Sequence, residues 1–213
     1  MESYQERLAR EMSGRLPGTE SHDRMAPSDR TRMRFNPHPD GNSRKAAVLI
    51  LLYPYRGHIH TLFIMRPEYP GIHGGQISLP GGKSEPGDQS EVHTALREAA
   101  EETGILPDEI RVLGKLSPLY IPVSNTVVHP VAGSADKRPE FRPDPREVEY
   151  IIEIPLKELA DPVRVKQKTE IYSGVPVKIP YYDLDGKQLW GATAMIMSEF
   201  IDLAGRPGLR FPW

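Results

Sequence analysis

The sequence predicts an α/β domain, because strand-like segments run along most of the chain and two longer segments have the features of helices. These two helices are predicted over residues 88–104 and 192–203. The chain has 213 residues, of which 38% are hydrophobic. That is enough for one well-formed core, and it fits one domain with appendages.

The N-terminal region differs in composition from the rest of the chain. Residues 2–15 predict a polar amphipathic helix. Its apolar residues recur at spacings of four: Tyr4, Leu8 and Met12. Residues 17–43 are rich in Pro, Ser, Asp and Arg and are expected to run extended over the surface and to be partly mobile. The predicted division is therefore a helix and extended arm over residues 1–43 and the main domain over residues 44–213.

The main domain is predicted to alternate strands with turns. The strand segments are residues 46–53, 59–65, 76–79, 110–119, 125–132, 147–154, 175–182 and 187–189. Hairpins are expected around Tyr55-Arg56-Gly57-His58 and around Asp185-Gly186. Residues 155–160 suggest a short helix.

The helix predicted over residues 88–104 has a marked start and stop. Asp88, with Glu91 three residues on, resembles a capping box, and Gly104 can close the helix in a left-handed conformation. One stripe of this helix can pack on a core while the acids face outward: Val92, Ala95, Leu96, Ala99 and Thr103.

Three carboxylates crowd one side of the same helix. Glu98, Glu101 and Glu102 stand at positions i, i+3 and i+4, which is costly unless something positive lies among them. Mg2+ prefers oxygen ligands and shares its coordination sphere with waters and substrate phosphates. Three glutamates alone are more often a solvated helix face. The upstream turn Pro80-Gly81-Gly82 favours a metal site, because it would bring bare backbone groups close to the helix.

Residues 82–105 resemble the Nudix box of the Nudix hydrolases, G-x5-E-x7-R-E-U-x-E-E-x-G-U, where U is a bulky apolar residue. Gly82 opens the segment and Asp88 stands where the first acid is expected. The remaining matches are in register: Arg97, Glu98, Glu101, Glu102, Gly104 and Ile105. Two features depart from the pattern: eight residues rather than seven separate Asp88 from Arg97, and Ala99 is smaller than the usual U residue.

A narrower resemblance is to the coenzyme A diphosphatase subgroup. Residues 73–82, HGGQISLPGG, are similar to its HxGQVxFPGG segment, and a box longer by one residue is typical of it. Further similar segments bring the match to about residues 35–205: residues 117–122, 129–131 and 190–194. The subgroup usually carries an arginine two places before the histidine, and this chain has Gly71 there.

The resemblance implies a Nudix-type α/β/α sandwich with a mixed sheet and a metal-dependent hydrolase that splits a diphosphate linkage. It implies Mg2+ or Mn2+ as cofactor, held by the side chains of Glu98, Glu101 and Glu102 and by the Gly81 carbonyl. Arg97 matches the family arginine that orients a catalytic glutamate, and its i, i+4 relation to Glu101 makes this geometry feasible.

Two sets of candidate residues stay open. The group that takes the proton from water could be Glu98 or Glu101, or a downstream acid: Glu147, Glu149 or Glu153. Four residues are candidates for substrate binding: Arg66, His73, Gln76 and Gly82. Of these, Arg66 could pair bidentately with a phosphate, while His73 and Gln76 could contact the diphosphate or shape the loop.

The first-choice substrate is coenzyme A or an acyl derivative, and the resemblance implies 4'-phosphopantetheine and adenosine 3',5'-bisphosphate as products. One alternative is a nucleotide-sugar or nucleoside-polyphosphate diphosphatase, with ADP-ribose as an example substrate. Another is a non-catalytic Nudix module that binds nucleotides. Such modules generally lose box acids, and all three are present here.

Composition limits partners and compartment. A net charge of −2 provides no broad basic field for nucleic acid and no polybasic membrane signal. The chain has no cysteine, which excludes disulfides and thiolate chemistry. No apolar run approaches the roughly 20 residues that span a bilayer, and the first residues do not resemble a signal peptide. We expect a cytoplasmic protein with a small-molecule diphosphate substrate, and leave open a homodimer.

Overall fold

A mixed β-sheet lies at the centre of the computed structural model, which describes residues 3–28, 38–68, 74–207 and 209. The strands are β1 (Arg44–Tyr55), β2 (His58–Met65), β3 (Ile77–Ser78), β4 (Gly81–Lys83), β5 (Arg111–Lys115), β6 (Leu119–Ile121), β7 (Thr126–Ser134), β8 (Tyr150–Pro155), β9 (Val165–Tyr172), β10 (Val175–Leu184) and β11 (Lys187–Trp190). The helices are α1 (Tyr4–Met12), α2 (Thr19–Arg24), α3 (Glu91–Thr103), α4 (Leu156–Leu159) and α5 (Gly191–Ala204).

Strand β1 organises the large sheet. It runs parallel to β7 and antiparallel to β2, and the main strand order is β3-β2-β1-β7-β5. β1 also changes its antiparallel partner along its length: residues 46–48 pair with β4, and residues 53–55 pair with β2. Strands β9 to β11 form a second, smaller antiparallel sheet.

The two faces of the large sheet are both covered by helices. Successive residues of β1 point to opposite faces. Ile50 packs with α1 and α5 on one face, and Leu49 packs with Ala95 and Ala99 of α3 on the other. This arrangement confirms the predicted α/β/α sandwich with a mixed sheet. Within the described part of the chain, no helix is long and apolar enough to cross a membrane.

Most predicted elements are confirmed, including both hairpins. Arg56 and Gly57 have positive φ values of 48° and 79°, as the tight turn between β1 and β2 requires. The strand predicted over residues 110–119 is instead two strands, β5 and β6, and β5 has a register shift between Val112 and Gly114. Strand β9 was not predicted, because its sequence VKQKTEIY is largely polar and lies at an exposed edge.

The N-terminal region packs on the main domain. Tyr4, Leu8 and Met12 are buried in the same core cluster as α5, which confirms the predicted amphipathic helix. The extended conformation predicted for residues 17–43 is wrong at α2, where His22 is buried. The middle of that segment, residues 29–37, lies outside the described residues. The division of the chain at residue 43 stays a prediction.

A buried carboxylate of α5 holds this N-terminal region in place. Glu199 is fully buried and accepts hydrogen bonds from the Gly18 amide at 3.0 Å and the Ser117 hydroxyl at 2.6 Å, and its Oε2 lies 2.9 Å from Nε2 of His22. Burial alone would raise the pKa of Glu199, but the hydrogen bonds from His22 and Ser117 outweigh it and hold the pKa below its ordinary value. Glu199 thus connects α5, the N-terminal region and the segment after β5.

We expect Glu199→Gln to lower the free energy of unfolding at neutral pH by about 2 kcal/mol, because an amide replaces an acceptor that faces several donors. Since the folded pKa is depressed, the carboxylate contributes stability above the unfolded glutamate pKa of about 4.3, and this contribution is lost as the pH falls through the folded pKa. Urea denaturation of both proteins at a series of pH values measures the difference, which should narrow on acidification.

Asp202→Asn is the matched control on the same helix. Asp202 pairs with Arg24, whose side chain is half exposed. We therefore expect a loss below about 1 kcal/mol. An equal loss in both variants would contradict a special role for Glu199.

Candidate active site

A glycine turn places backbone groups against the central strand. Gly81 has a φ of 151°, and a Cβ built on it would lie 2.6 Å from the Cα of Val48 in β1. Only glycine fits this close approach. The Leu49 amide also donates to the Pro80 carbonyl at 2.9 Å, which fixes the turn beside β1.

Helix α3 begins later than predicted. Its N-cap is Ser90, whose hydroxyl accepts from the His93 amide at 3.2 Å, so the capping box assigned to Asp88 and Glu91 is wrong. Asp88 is engaged instead with Arg97. The C-terminal prediction is confirmed, because Gly104 has a φ of 74° and its amide donates to the Ala100 carbonyl at 2.8 Å.

Glu102 is buried beneath the glycine turn. Its side chain is only 1% exposed, which corrects the expectation that all three acids face outward. It accepts from the Gly81 amide at 2.7 Å and from Nη2 of Arg66 at 3.1 Å. Burial raises the pKa of Glu102 to about 7, against the opposing effects of Arg66 and the Gly81 amide.

Glu98 lies directly against the next glycine. A Cβ built on Gly82 would lie 2.5 Å from the carboxylate carbon of Glu98, so the absence of a side chain at residue 82 makes room for this acid. Burial raises the pKa of Glu98, although Arg97 opposes the shift. Glu101 does face outward, with its side chain 57% exposed.

Arg97 connects the acids to the loop. Its guanidinium donates two hydrogen bonds to Asp88, both at 3.0 Å, and these hold the Asp88 pKa well below its ordinary value. It also donates to Glu101 at 3.0 Å, to Glu98 at 3.1 Å and to the Lys83 carbonyl at 3.0 Å. Arg97 is therefore positioned to orient both glutamates, and the two hydrogen bonds to Asp88 hold Arg97 in place.

Arg66 is a second arginine that contacts the glycine turn. Its Nη2 donates to the Gly81 carbonyl and to Glu102, both at 3.1 Å, and its Nε donates to the Ser78 hydroxyl at 3.1 Å. Its backbone amide donates to the Gln76 carbonyl at 3.1 Å, so Gln76 lies next to Arg66 where β2 pairs with β3. His73 and Gly71 lie outside the described residues.

The three downstream acids have different surroundings. Glu149 is exposed, and its backbone amide donates to the Met65 carbonyl at 2.9 Å. Glu147 is near enough to Glu98 and Glu102 to raise the pKa of both. Glu153 is bound by Arg138 through two hydrogen bonds, at 2.8 and 2.7 Å, and by the Tyr53 hydroxyl at 2.9 Å. Residue type alone could not separate these acids; the turn that begins at Asp144 and precedes β8 brings Glu147 to the site.

The oxygen atoms around the glycine turn are the type of ligand that a hard divalent cation prefers. Glu98, Glu102 and the Gly81 carbonyl supply oxygen ligands, and burial raises the pKa of both carboxylates, an effect that a bound cation would oppose. As the side chains stand, the described residues include no group of three His, Asp or Glu close enough to hold a metal. Arg66 forms an ion pair with Glu102, and Arg97 forms ion pairs with Glu98 and Glu101.

Comparison with known proteins identifies close counterparts of this chain. Residues 43–173 match the model of the NUDIX domain. Mitochondrial coenzyme A diphosphatase NUDT8 of Homo sapiens is 36% identical over an alignment of 171 residues, and the match covers 78% of this chain and 72% of that protein. Nudix hydrolase NudL of Yersinia pestis (strain Pestoides F) is 36% identical over 73% of this chain and 77% of its own.

A solved structure supports the fold. The MutT protein from Methanosarcina mazei Go1 superposes with a TM-score of 0.51 over 77% of this chain and 96% of its own, at 16% identity.

The two glycines of the turn should respond differently to alanine. Gly82→Ala has only the end of a flexible side chain to displace, so we expect stability within about 1 kcal/mol of the wild type. Because the new methyl group takes the place of the Glu98 carboxylate, activity on a diphosphate substrate should fall about 100-fold. Denaturation and kinetic measurements on the same preparation test both parts.

Gly81→Ala is the matched comparison. Its methyl group would meet the β1 backbone at a positive φ, so we expect a loss of about 3 kcal/mol in unfolding free energy. Full activity in Gly82→Ala would show that Glu98 does not need its observed position.

Proposed function

The chain belongs to the Nudix hydrolase family, and we propose that it hydrolyses the diphosphate linkage of coenzyme A or an acyl-coenzyme A with a divalent cation. The products would be 4'-phosphopantetheine, or its acyl form, and adenosine 3',5'-bisphosphate. The convergence of Glu98, Glu102 and the Gly81 carbonyl at one turn carries the catalytic part of the proposal. The similarity to the human coenzyme A diphosphatase over most of both chains supports the substrate class.

Three glutamates and one carbonyl would hold Mg2+ or Mn2+ in this proposal: Glu98, Glu101, Glu102 and the Gly81 carbonyl. The cation would offset negative charge on the phosphoryl oxygens and activate water. Arg97 keeps Glu98 and Glu101 oriented through its hydrogen bonds, and Asp88 keeps Arg97 in place. Gly82 lets Glu98 approach the turn, and Gln76 is a proposed contact of the diphosphate.

We place Glu147 in the site as the acid that accepts a proton from water. It lies near Glu98 and Glu102 but is exposed, so solvent can exchange with it. Glu98 and Glu101 are other candidates, and both are held by Arg97. Glu149 is a weaker candidate, because Glu147 and not Glu149 is among the charges that raise the pKa of Glu98 and Glu102. Glu153 fits the role poorly, because Arg138 and Tyr53 already occupy its oxygens.

The main alternative is a nucleotide-sugar or nucleoside-polyphosphate diphosphatase, such as an ADP-ribose hydrolase, with the same box. A non-catalytic nucleotide-binding module is less well supported, because all three box acids and their arginine are present. The cytoplasmic location and the homodimer stay predictions. The human relative is named as a mitochondrial enzyme.

The substrate is tested by incubating the purified protein with coenzyme A, acetyl-coenzyme A and ADP-ribose, in Mg2+ or Mn2+, and identifying products by mass spectrometry. We expect the highest kcat/KM with a coenzyme A species, and loss of activity in a chelator with recovery on adding metal. Faster cleavage of ADP-ribose would favour the alternative substrate class, and binding without turnover would favour the binding module.

We expect Glu147→Gln to lower kcat about 100-fold, the typical contribution of a positioned general base. Its melting temperature should change little, because residue 147 is exposed. Glu149→Gln, two residues away and also exposed, is the matched control and should retain activity. Wild-type kcat in Glu147→Gln would return the role to Glu98 or Glu101.

A further inference from the structure

One guanidinium nitrogen holds two of the proposed metal ligands at once. Nη2 of Arg66 lies 3.1 Å from the Gly81 carbonyl oxygen and 3.1 Å from Oε1 of Glu102. The Nε atom of the same side chain donates to the Ser78 hydroxyl, which fixes the guanidinium. A positive charge thus lies between the oxygens that a cation would use.

Charge balance explains why this contact forms. The Glu102 side chain is 1% exposed, and a buried carboxylate without a partner strongly destabilises a folded protein. Arg66 is the positively charged partner of Glu102, and its side chain is itself only 22% exposed. Arg66 is therefore the counter-ion that allows Glu102 to stay beneath the turn.

We propose that Arg66 is a placeholder for the divalent cation: it holds Glu102 and the Gly81 carbonyl in the resting protein, competes with metal for these oxygens, and pairs with a substrate phosphate once metal displaces it. The inference rests on the proposed function. The Arg66 backbone amide donates to the carbonyl of Gln76, another predicted substrate-binding residue, at 3.1 Å. The planar fork of the Arg66 guanidinium suits bidentate pairing with phosphate.

An opposite role is possible for the same contacts. If Arg66 only positioned the ligands, removing it would loosen Glu102 and weaken metal binding. The two roles predict opposite changes in metal affinity. Metal affinity measured without substrate therefore separates them, and it does not depend on turnover.

The experiment measures Mn2+ binding by electron paramagnetic resonance of the free ion, at about pH 8.5 so that protons compete little with metal. The proteins are wild type, Arg66→Met, Arg66→Lys and Arg138→Met. Arg138→Met is the matched control, since it breaks the bidentate Arg138–Glu153 pair outside the site. We expect Arg66→Met to bind Mn2+ about tenfold more tightly, because no charge-assisted hydrogen bond has to be broken. Arg138→Met should bind like wild type.

Two further readouts complete the test. Without metal, Arg66→Met should melt at a lower temperature than wild type, and saturating Mn2+ should raise its melting temperature by more than it raises that of wild type. Its KM for coenzyme A should rise, since the phosphate partner is gone. If Arg66→Met does not fold, Arg66→Lys serves instead. A lysine ammonium cannot reproduce the fork of hydrogen bonds that the guanidinium donates, so the Arg66→Lys protein should also bind Mn2+ more tightly than wild type.

Weaker or unchanged Mn2+ affinity in the Arg66 variants overturns the placeholder role, and so does the absence of Mn2+ binding in every protein. The proposed function fails separately, if wild type binds Mn2+ but hydrolyses no coenzyme A species. In that case, tighter Mn2+ binding by Arg66→Met than by wild type would still support competition between Arg66 and the metal.

Discussion

The arrangement of the site depends on burying one carboxylate beneath a glycine turn. Glu102 accepts from the Gly81 amide and from Arg66, so it joins α3, the turn before β4 and the residue after β2. A carboxylate can remain in such surroundings only with a charged partner and satisfied hydrogen bonds. Helix, turn and strand are thereby held in one relative position, and the other acids take their places from it.

Local sequence information was sufficient for the features that neighbouring residues determine. Both hairpins, the C-terminal cap at Gly104 and the amphipathic α1 depend on short-range patterns, and all are confirmed. The register from Arg97 to Glu102 followed from the motif in the same way. The sandwich was predicted from the family resemblance, and the continuous apolar run of residues 46–53 in β1 fits a strand covered by helices on both faces.

The features that the sequence did not reveal depend on contacts between distant segments. Asp88 resembled an N-cap, but a bidentate pair with Arg97 nine residues away occupies it, and Ser90 caps the helix. The burial of Glu102 requires Arg66, which is 36 residues away. Helix α2 forms where Pro and polar residues suggested an extended arm, because Glu199 on α5 binds His22 across 177 residues.

The change of partner along β1 gives the large sheet two separate anchors on the same strand. β4 and the box helix are anchored at residues 46–48, whereas the β2 hairpin is anchored at residues 53–55. β3 pairs with β2 and so belongs to the second anchor, whereas the box acids follow β4 and belong to the first. Arg66, directly after β2, reaches Glu102 and the Gly81 carbonyl, so a single side chain joins the two anchors at the site.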